Sequence, residues 1–229
     1  MIFTWNIPAG NGNPGSEELL VGFDRGRPVR VLVLPALFDE ANKLRRFTVE
    51  VMRRLDAAGI DSLLPDLPGC NESLEPLELQ TLGGWREAAL AAAQTLGATH
   101  VLAIRAGALV APAILPGWHY AAQSGPKLLR ALIRARTIAA REAGKFETYE
   151  GLTAAGRETG LTLGGWSLGA AMVVELETAE PAHVPGQSDI PQTALGGPGL
   201  WLRAEPDEDA AQTDRLAALI VQNLAESAG

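Results

Sequence analysis

The sequence has few of the side chains that build disulfide, metal and redox sites. Its 229 residues include one cysteine, Cys70, and three widely spaced histidines. A single cysteine excludes an intrachain disulfide framework, and the histidine spacing gives no metal-ligand pattern. We therefore predict neither a bound metal nor a cofactor.

Two further absences concern location and partners. No apolar run reaches the ~18 residues of a membrane span, and residues 1–6 lack the basic and apolar regions of a signal peptide. Together with the single cysteine, this predicts a cytoplasmic location. Only 19 Lys and Arg stand against 27 Asp and Glu, a net charge of −8. This balance argues against nucleic acid as a partner, because phosphate binding needs a basic footprint.

The remaining composition is that of a globular protein. Hydrophobic residues make up 47% of the chain and charged residues 20%, which is the range of folded domains rather than of disordered chains. The length is sufficient for a complete hydrophobic core. We predict a single domain over residues 1–229.

The first half of the chain alternates between strand and helix. Short β-branched apolar runs stop at proline or turn residues, and apolar positions between them recur at helical spacing. This order predicts a mainly parallel sheet with right-handed crossovers. The predicted strands are 29–34, 60–64 and 101–104, the predicted helices are 47–58 and 85–96, and 35–46 is predicted to be a polar loop.

The second half is less regular. Pro112 and Pro116 would cut short a helix after the third strand. A cap-like helical insertion is predicted at about 117–190, and it contains a basic helix. The predicted elements here are helices at 127–143, 168–178 and 209–225, strands at 161–163 and 199–203, and a loop at 180–199.

The end of the third predicted strand carries the most informative turn. In α/β-hydrolases a strand turns sharply into a helix at G-x-S-x-G and holds the nucleophilic serine above the sheet. On this pattern Ala103 takes the first glycine position, Gly107 the last, and Arg105 the serine position. We therefore predict an α/β-hydrolase-like fold, with a mainly parallel sheet flanked by helices, whose nucleophile position holds an arginine.

A serine hydrolase of this fold also needs an acid and then a histidine. Asp207 follows the predicted late strand and is the candidate acid, with Glu205 next. No histidine lies beyond His183. A second match to the elbow pattern, residues 165–169, places Ser167 at the nucleophile position; a glycine-rich turn without catalytic role is the alternative.

Several other residues are candidate ligand contacts. Arg105 can bind a carboxylate or phosphate, since its planar fork suits anions, or it can pair with Glu40. Glu40 and Asn42 lie on the loop that forms the oxyanion side in hydrolases, although Asn42 can instead cap a helix. Cys70 reads as either a packed or a reactive thiol. The remaining candidate ligand contacts are Leu37, Phe38, Ala106 and His119.

Scattered residues of the chain resemble one family more specifically. They are Pro35-x-x-Phe38-x-Glu40-x-Asn42-Lys43-x-Arg45-Arg46, Asp66-Leu67-x-Gly69-Cys70-x-x-Ser73, Arg105, the segment 118–129, and Gly165-Trp166-x-Leu168. This set resembles the exosortase A system-associated hydrolase family, the second of two such types. The resemblance implies an α/β-hydrolase fold and a protein-sorting and exopolysaccharide setting.

Three functions are consistent with these patterns. The leading interpretation is a degenerate hydrolase-like protein that binds a small acyl or anionic ligand near Arg105. The rival is an active ester or thioester hydrolase that uses Ser167, or an unusual site of Glu40, Arg105 and Asp207. The third is a scaffold that acts through the basic helix, whose residues 127–141 could also contact a membrane surface peripherally.

Overall fold

A computed structural model describes residues 1–8 and 15–227 of the chain. In this part of the chain a seven-stranded sheet has the order β1-β2-β4-β3-β5-β6-β9. Pairing is antiparallel from β1 to β2 and from β2 to β4, and parallel across the other five strands. The strands of the sheet are β1 Ile2–Ile7, β2 Ser16–Phe23, β3 Arg30–Leu34, β4 Asp61–Pro65, β5 His100–Ile104, β6 Gly117–Tyr120 and β9 Gln187–Ile190.

Helices cover both faces of this sheet. The helices are α1 Asp39–Ala57, α2 Leu82–Thr95, α3 Gly125–Glu142, α4 Tyr149–Thr159, α5 Ala170–Leu176, α6 Gln192–Leu195 and α7 Ala210–Ser227. One apolar cluster joins the sheet to α1 and α7, and a second joins the opposite face to α2, α3, α4 and α5. No helix in the described ranges is long and apolar enough to cross a membrane.

Strand β5, the middle one of the five parallel strands, has the burial pattern of a parallel sheet. In β5, Val101 and Ala103 face one apolar cluster while Leu102 and Ile104 face the other, and all four are fully buried. A strand buried on both faces needs a continuous apolar run rather than an alternating one, as in helix-covered parallel sheets. The predictions for strands 29–34, 60–64 and 101–104 are confirmed to within a residue or so.

Helix α1 begins earlier than residue 47, where the spacing of apolar residues predicts its start. Residues 35–46 were predicted to be loop, yet α1 starts at Asp39, so this prediction is wrong for most of the segment. Phe38 precedes the helix with a φ of 55°, and Asp39 and Glu40 place negative charge in its first turn. Acidic side chains stabilise a helix N-terminus through its dipole, which explains how a polar stretch is helical.

The late strand was predicted in the wrong place. Residues 199–203 form a 3₁₀ turn at Leu200–Leu202, while β9 lies within the predicted loop 180–199. Strand β9 pairs only with β6 in the described sheet, and Ile190 is its one buried residue. Such an edge strand needs no apolar pattern. The polar sequence of β9 therefore gives no strand signal.

The segment between β6 and β9 contains α3, α4, α5 and a small hairpin. The hairpin consists of β7 Leu161–Leu163 and β8 Trp166–Leu168, which pair antiparallel apart from the main sheet. Its apolar side chains share a core with α2 and the sheet. Helix 127–143 is confirmed as α3, α4 occupies a stretch with little apolar pattern, and helix 168–178 is reduced to α5 because residue 168 ends β8. Helix 209–225 is confirmed as α7.

Candidate functional site

The turn after β5 has the backbone of a nucleophile elbow. Arg105 has a φ of 55°, a left-handed conformation that is rare for a non-glycine residue. A short 3₁₀ turn, Arg105–Val110, follows and ends before Pro112. A sharp, strained turn at the carboxyl end of a central strand is the arrangement that exposes a nucleophile in α/β-hydrolases. Here that arrangement presents an arginine.

Gly107 allows this turn to approach the neighbouring strand. A Cβ atom at Gly107 would lie 2.4 Å from the Pro35 carbonyl oxygen and 2.6 Å from that of Leu34. Both oxygens belong to backbone at the end of β3, which is paired with β5 and cannot move aside easily. The last position of the pattern is therefore glycine for a steric reason.

The Arg105 guanidinium is held on three sides. Its Nε and Nη2 donate to the two carboxylate oxygens of Glu40 at 2.8 and 3.0 Å, and its Nη1 donates to the Ala121 carbonyl at 2.8 Å. The guanidinium carbon lies 3.9 Å from the centre of the Trp201 ring. The Arg105 and Glu40 side chains are 12% and 15% exposed. Three of the five guanidinium N–H groups thus have an acceptor among residues 1–8 and 15–227, and two do not.

Four segments at the carboxyl edge of the sheet meet at this cation. Arg105 follows β5, Glu40 lies in the first turn of α1, Ala121 follows β6, and Trp201 lies in the 3₁₀ turn before α7. The bidentate pair and the ring contact fix the orientation of the guanidinium. Sequence reasoning named Arg105 and Glu40 but missed Trp201, because its turn was taken for a strand.

Tyr120 and Gln192 extend the site below Arg105. The Tyr120 hydroxyl donates to the side-chain oxygen of Gln192. Burial raises the pKa of Tyr120, and the positive charge of Arg105 opposes this shift, so the phenol stays neutral. Gln192 comes two residues after β9, the observed late strand, whereas the predicted acid, Asp207, follows residues 199–203. The amide of Gln192 carries no charge to stabilise a protonated histidine.

Asp207 lies on the surface between the 3₁₀ turn and α7. Its carboxylate accepts from the backbone N–H of Glu208 at 2.7 Å and pairs with Arg203. The Glu208 N–H, and then the charge of Arg203, lower the pKa of Asp207. Its side chain is 54% exposed. These contacts link Asp207 to its own loop.

Ser167 lies in the β7–β8 hairpin. Gly164 and Gly165, with φ values of 57° and 89°, form the hairpin turn, and the exposed Ser167 follows on β8. Its Oγ is 3.3 Å from Thr162 Oγ1 on the facing strand. Ser167 also borders a shallow groove of about 400 Å³ that Glu78 and Glu158 line. Ser167 thus lies within the extended strand β8 rather than at a left-handed turn, and α5 begins only at Ala170.

The other candidate contacts are placed near the elbow but are mostly covered. Phe38 packs between two rings, 5.7 Å from Trp85 and 5.8 Å from Trp166 between centroids. Leu37 and Ala106 are buried in the same apolar cluster. Asn42, in contrast, is exposed on α1.

His119 is buried on β6. Its Nδ1 lies 3.9 Å from a carboxylate oxygen of Asp189, the residue opposite it on β9. Burial lowers the pKa of His119 more than the Asp189 charge raises it, so the ring is neutral near pH 7. Burial, with Asp66 and Glu18 nearby, raises the pKa of the half-buried Cys70 thiol to about 12, which disfavours the thiolate that a reactive cysteine needs. Across residues 1–8 and 15–227 no cluster of three or more His, Cys, Asp or Glu could hold a metal ion.

Glu18 forms a buried polar group beside Cys70. One carboxylate oxygen accepts from the Ser16 hydroxyl at 2.7 Å and from the Ser73 hydroxyl at 3.0 Å. The residue is 2% exposed. Burial raises the pKa of Glu18 despite these two hydrogen bonds, so ionisation of this carboxyl opposes folding.

Replacing Glu18 with glutamine is therefore expected to raise the melting temperature at pH 7. The folded pKa lies above the unfolded value, so the contribution of Glu18 to stability is complete below about pH 4 and is lost as pH rises through the folded pKa. The gain in the Glu18→Gln variant should accordingly vanish near pH 4. Melting curves across this range measure it, with the exposed neighbour Glu17→Gln as control. A gain that is equal at both pH values would contradict the assignment.

Comparison with proteins of known structure identifies the fold. The structure of the α/β hydrolase domain-containing protein 10 from mouse matches with a TM-score of 0.58 and 12% identity. The match covers 99% of this chain and 100% of the mouse chain. Est1E from Butyrivibrio proteoclasticus, solved with ferulic acid, matches over 97% and 98%, with a TM-score of 0.58 and 14% identity. A thermophilic esterase from Thermogutta terrifontis, with malate bound, matches over 98% and 97%, with a TM-score of 0.51 and 12% identity.

These likenesses, together with the mostly parallel helix-flanked sheet, define the chain as a protein of the α/β-hydrolase fold. At 12–14% identity they establish the fold alone. Other structures align over only part of their length, such as 39% of an epoxide hydrolase from Vigna radiata. The sequence matches no protein-family model, and a sequence comparison with the curated proteins found no match.

Proposed function

We propose that this chain is a non-hydrolysing α/β-hydrolase-fold protein that binds a small acyl or anionic ligand at Arg105, in the exosortase and exopolysaccharide setting that its sequence resembles. One observation carries the proposal: the sharp turn after β5, with Arg105 at a φ of 55° and a 3₁₀ turn in place of a long helix, presents a guanidinium oriented by Glu40 and Trp201. A cation has replaced the nucleophile at the point where substrates of this fold react.

The positions of the histidines support the absence of serine-hydrolase chemistry. His100 begins β5 and lies about 13 Å at strand spacing from Ile104, which ends that strand next to Arg105. His119 is buried against Asp189, and His183 lies before β9. A serine hydrolase needs its histidine within hydrogen-bond reach of the nucleophile. Neither Arg105 nor Ser167 has such a neighbour among its hydrogen bonds.

The chemistry of the ligand follows from what Arg105 still offers. Its two remaining N–H groups suit a carboxylate or phosphate oxygen pair, and the Trp201 ring provides an apolar wall for an attached acyl chain. Glu40 neutralises part of the charge, so the site favours a ligand with both features over a bare anion. Open α/β sheets bind their ligands at this carboxyl edge.

Thermal shift with butyrate, octanoate and inorganic phosphate tests this proposal. We expect octanoate to raise the melting temperature in a concentration-dependent way, and the shift to be lost in Arg105→Met. Arg136→Met is the matched control, because Arg136 on α3 makes the same kind of contacts, two with the Glu147 carboxylate and one with the Thr162 carbonyl. If none of the three ligands shifts the wild-type protein, or if Arg105→Met keeps the full shift, the ligand site is not at Arg105.

Two measurements distinguish ligand binding from the rival function. That function is hydrolysis of an ester or thioester by Ser167, or by Glu40, Arg105 and Asp207. We expect no labelling by a fluorophosphonate probe and no turnover of p-nitrophenyl butyrate. Labelling of Ser167, or turnover that disappears in Ser167→Ala or Asp207→Asn, would replace the binding proposal with an active enzyme.

The proposal also includes a membrane surface as a partner, which would bind away from Arg105. Residues 127–141 on α3 contact a membrane surface peripherally, by charge rather than by insertion of a helix. The support is their row of exposed basic side chains in a chain whose net charge is −8.

A further inference from the structure

Helix α3 carries four of its five basic side chains on one side, while the fifth, Arg136, pairs with Glu147. Lys127, Arg130, Arg134 and Arg141 are exposed, and their spacing places them within about 60° of one another around the helix axis over about 21 Å. The opposite side packs into the core through Leu128, Leu129, Leu132 and Ile133. The exposed row is therefore fixed in orientation relative to the rest of the protein.

Two exposed apolar side chains accompany this row. Ile138, on the same side of α3, is 51% exposed, and Phe146, in the turn between α3 and α4, is 93% exposed. Lys145 is exposed directly before Phe146. Scattered apolar residues are ordinary on surfaces. Here one lies among the cations of the row and the other follows Arg141 by five residues, a combination that is typical of interfacial membrane helices.

The charge of this region opposes that of the whole chain. Residues 127–150 contain six basic and three acidic side chains, while the chain as a whole carries −8. Of the acidic ones, Glu147 is engaged by Arg136 at 2.7 Å, and Glu142 and Glu150 are exposed on or beside the helix ends. A positive patch on a negative protein has a preferred direction of approach to an anionic surface.

We infer that Lys127, Arg130, Arg134 and Arg141, with Ile138 and Phe146, form a docking face for an anionic lipid bilayer. The inference rests on the membrane contact in the proposed function and deepens it by naming the apolar anchor. Basic side chains contact lipid phosphates, and Phe146 enters the boundary between headgroups and acyl chains. A nucleic acid would satisfy the cations but leave Phe146 and Ile138 without a partner, so the bilayer is favoured.

Sedimentation of the full chain with vesicles tests the docking face. We expect binding to vesicles of phosphatidylcholine and phosphatidylglycerol, no binding to phosphatidylcholine alone, and weaker binding as salt rises from about 0.05 M to about 0.5 M. The variant Arg130→Glu with Arg134→Glu should lower the affinity at least about tenfold. Arg53→Glu with Arg215→Glu, on α1 and α7, is the matched charge control and should keep more than half of the wild-type affinity if orientation matters.

Phe146→Ser should lower the affinity about fivefold, whereas Leu74→Ser, at an apolar residue that is 96% exposed elsewhere, should not. Arg105→Met should bind vesicles normally, so loss of the ligand site and loss of the docking face are distinguishable. Equal losses in the α3 and control charge variants, an unaffected Phe146→Ser variant, or tighter binding to a DNA duplex than to vesicles would each overturn the inference.

Discussion

Gly107→Ala is expected to destabilise the protein by about 3 kcal/mol, measured by urea or thermal unfolding. The new methyl group would lie 2.4 Å from the Pro35 oxygen and 2.6 Å from the Leu34 oxygen. Both distances are far below van der Waals contact, and both atoms belong to backbone. The strain can be relieved only by separating the turn from β3 or by bending β5, and either movement displaces Arg105.

Gly83→Ala is the matched control for this substitution. Gly83 lies in the first turn of α2, and a Cβ there would meet its nearest neighbour, a Glu175 carboxylate oxygen, at 3.5 Å. Alanine favours the helix over glycine, so this variant should be unchanged or stabilised by up to about 1 kcal/mol. Similar stabilities of Gly107→Ala and Gly83→Ala would show that the elbow is not held tightly against β3.

Glu40→Ala is expected to cost about 2–3 kcal/mol of folding free energy. The substitution leaves two guanidinium N–H groups of Arg105 without their acceptors at a side chain that is 12% exposed. Arg105→Met removes the cation instead and keeps an apolar chain against Trp201. The double variant should therefore be more stable than the sum of the two single losses predicts, with a coupling on the order of 1–2 kcal/mol.

Asp39→Ala provides the comparison for Glu40→Ala. Asp39 occupies the same helical turn and pairs with Lys43 at 2.9 Å, but its side chain is 56% exposed. Exposed pairs contribute little, so a loss below about 1 kcal/mol is expected. A Glu40→Ala variant no less stable than Asp39→Ala would mean that the pair with Arg105 does not restrain the elbow, and the orientation of the ligand site would then lack its support.

The parts of the fold that were predictable are those whose burial leaves a pattern. Strands β3 and β5 are buried on both faces and consist of nearly continuous apolar runs, and β4 keeps two adjacent buried leucines before a proline. Strand β9 has one buried residue and is placed by its pairing with β6, and α4 buries Leu152 as its one apolar side chain, together with Thr153 and Gly156. Such elements depend on tertiary contacts that no local window contains.

The candidate site was predictable to a similar degree. Arg105 could be assigned to the elbow because the turn pattern is local, and Glu40 was one of its named partners. Trp201 lies 96 positions further along the chain, and Ala121 contributes a backbone oxygen, which has no sequence signature. Gln192 was hidden because the strand before it was taken for a loop. Long-range convergence of this kind depends on strand order, which the sequence alone did not supply.

The short 3₁₀ turn after β5 also changes how positive potential is produced at the carboxyl edge of the sheet. A long helix starting at an elbow would carry about half a unit charge at its N-terminus, contributed by aligned backbone dipoles. The turn Arg105–Val110 has too few peptide units to build that dipole. The charge there comes instead from one side chain, paired with Glu40. A single substitution can remove the positive charge of a side chain, whereas it cannot remove the partial charge of aligned backbone dipoles.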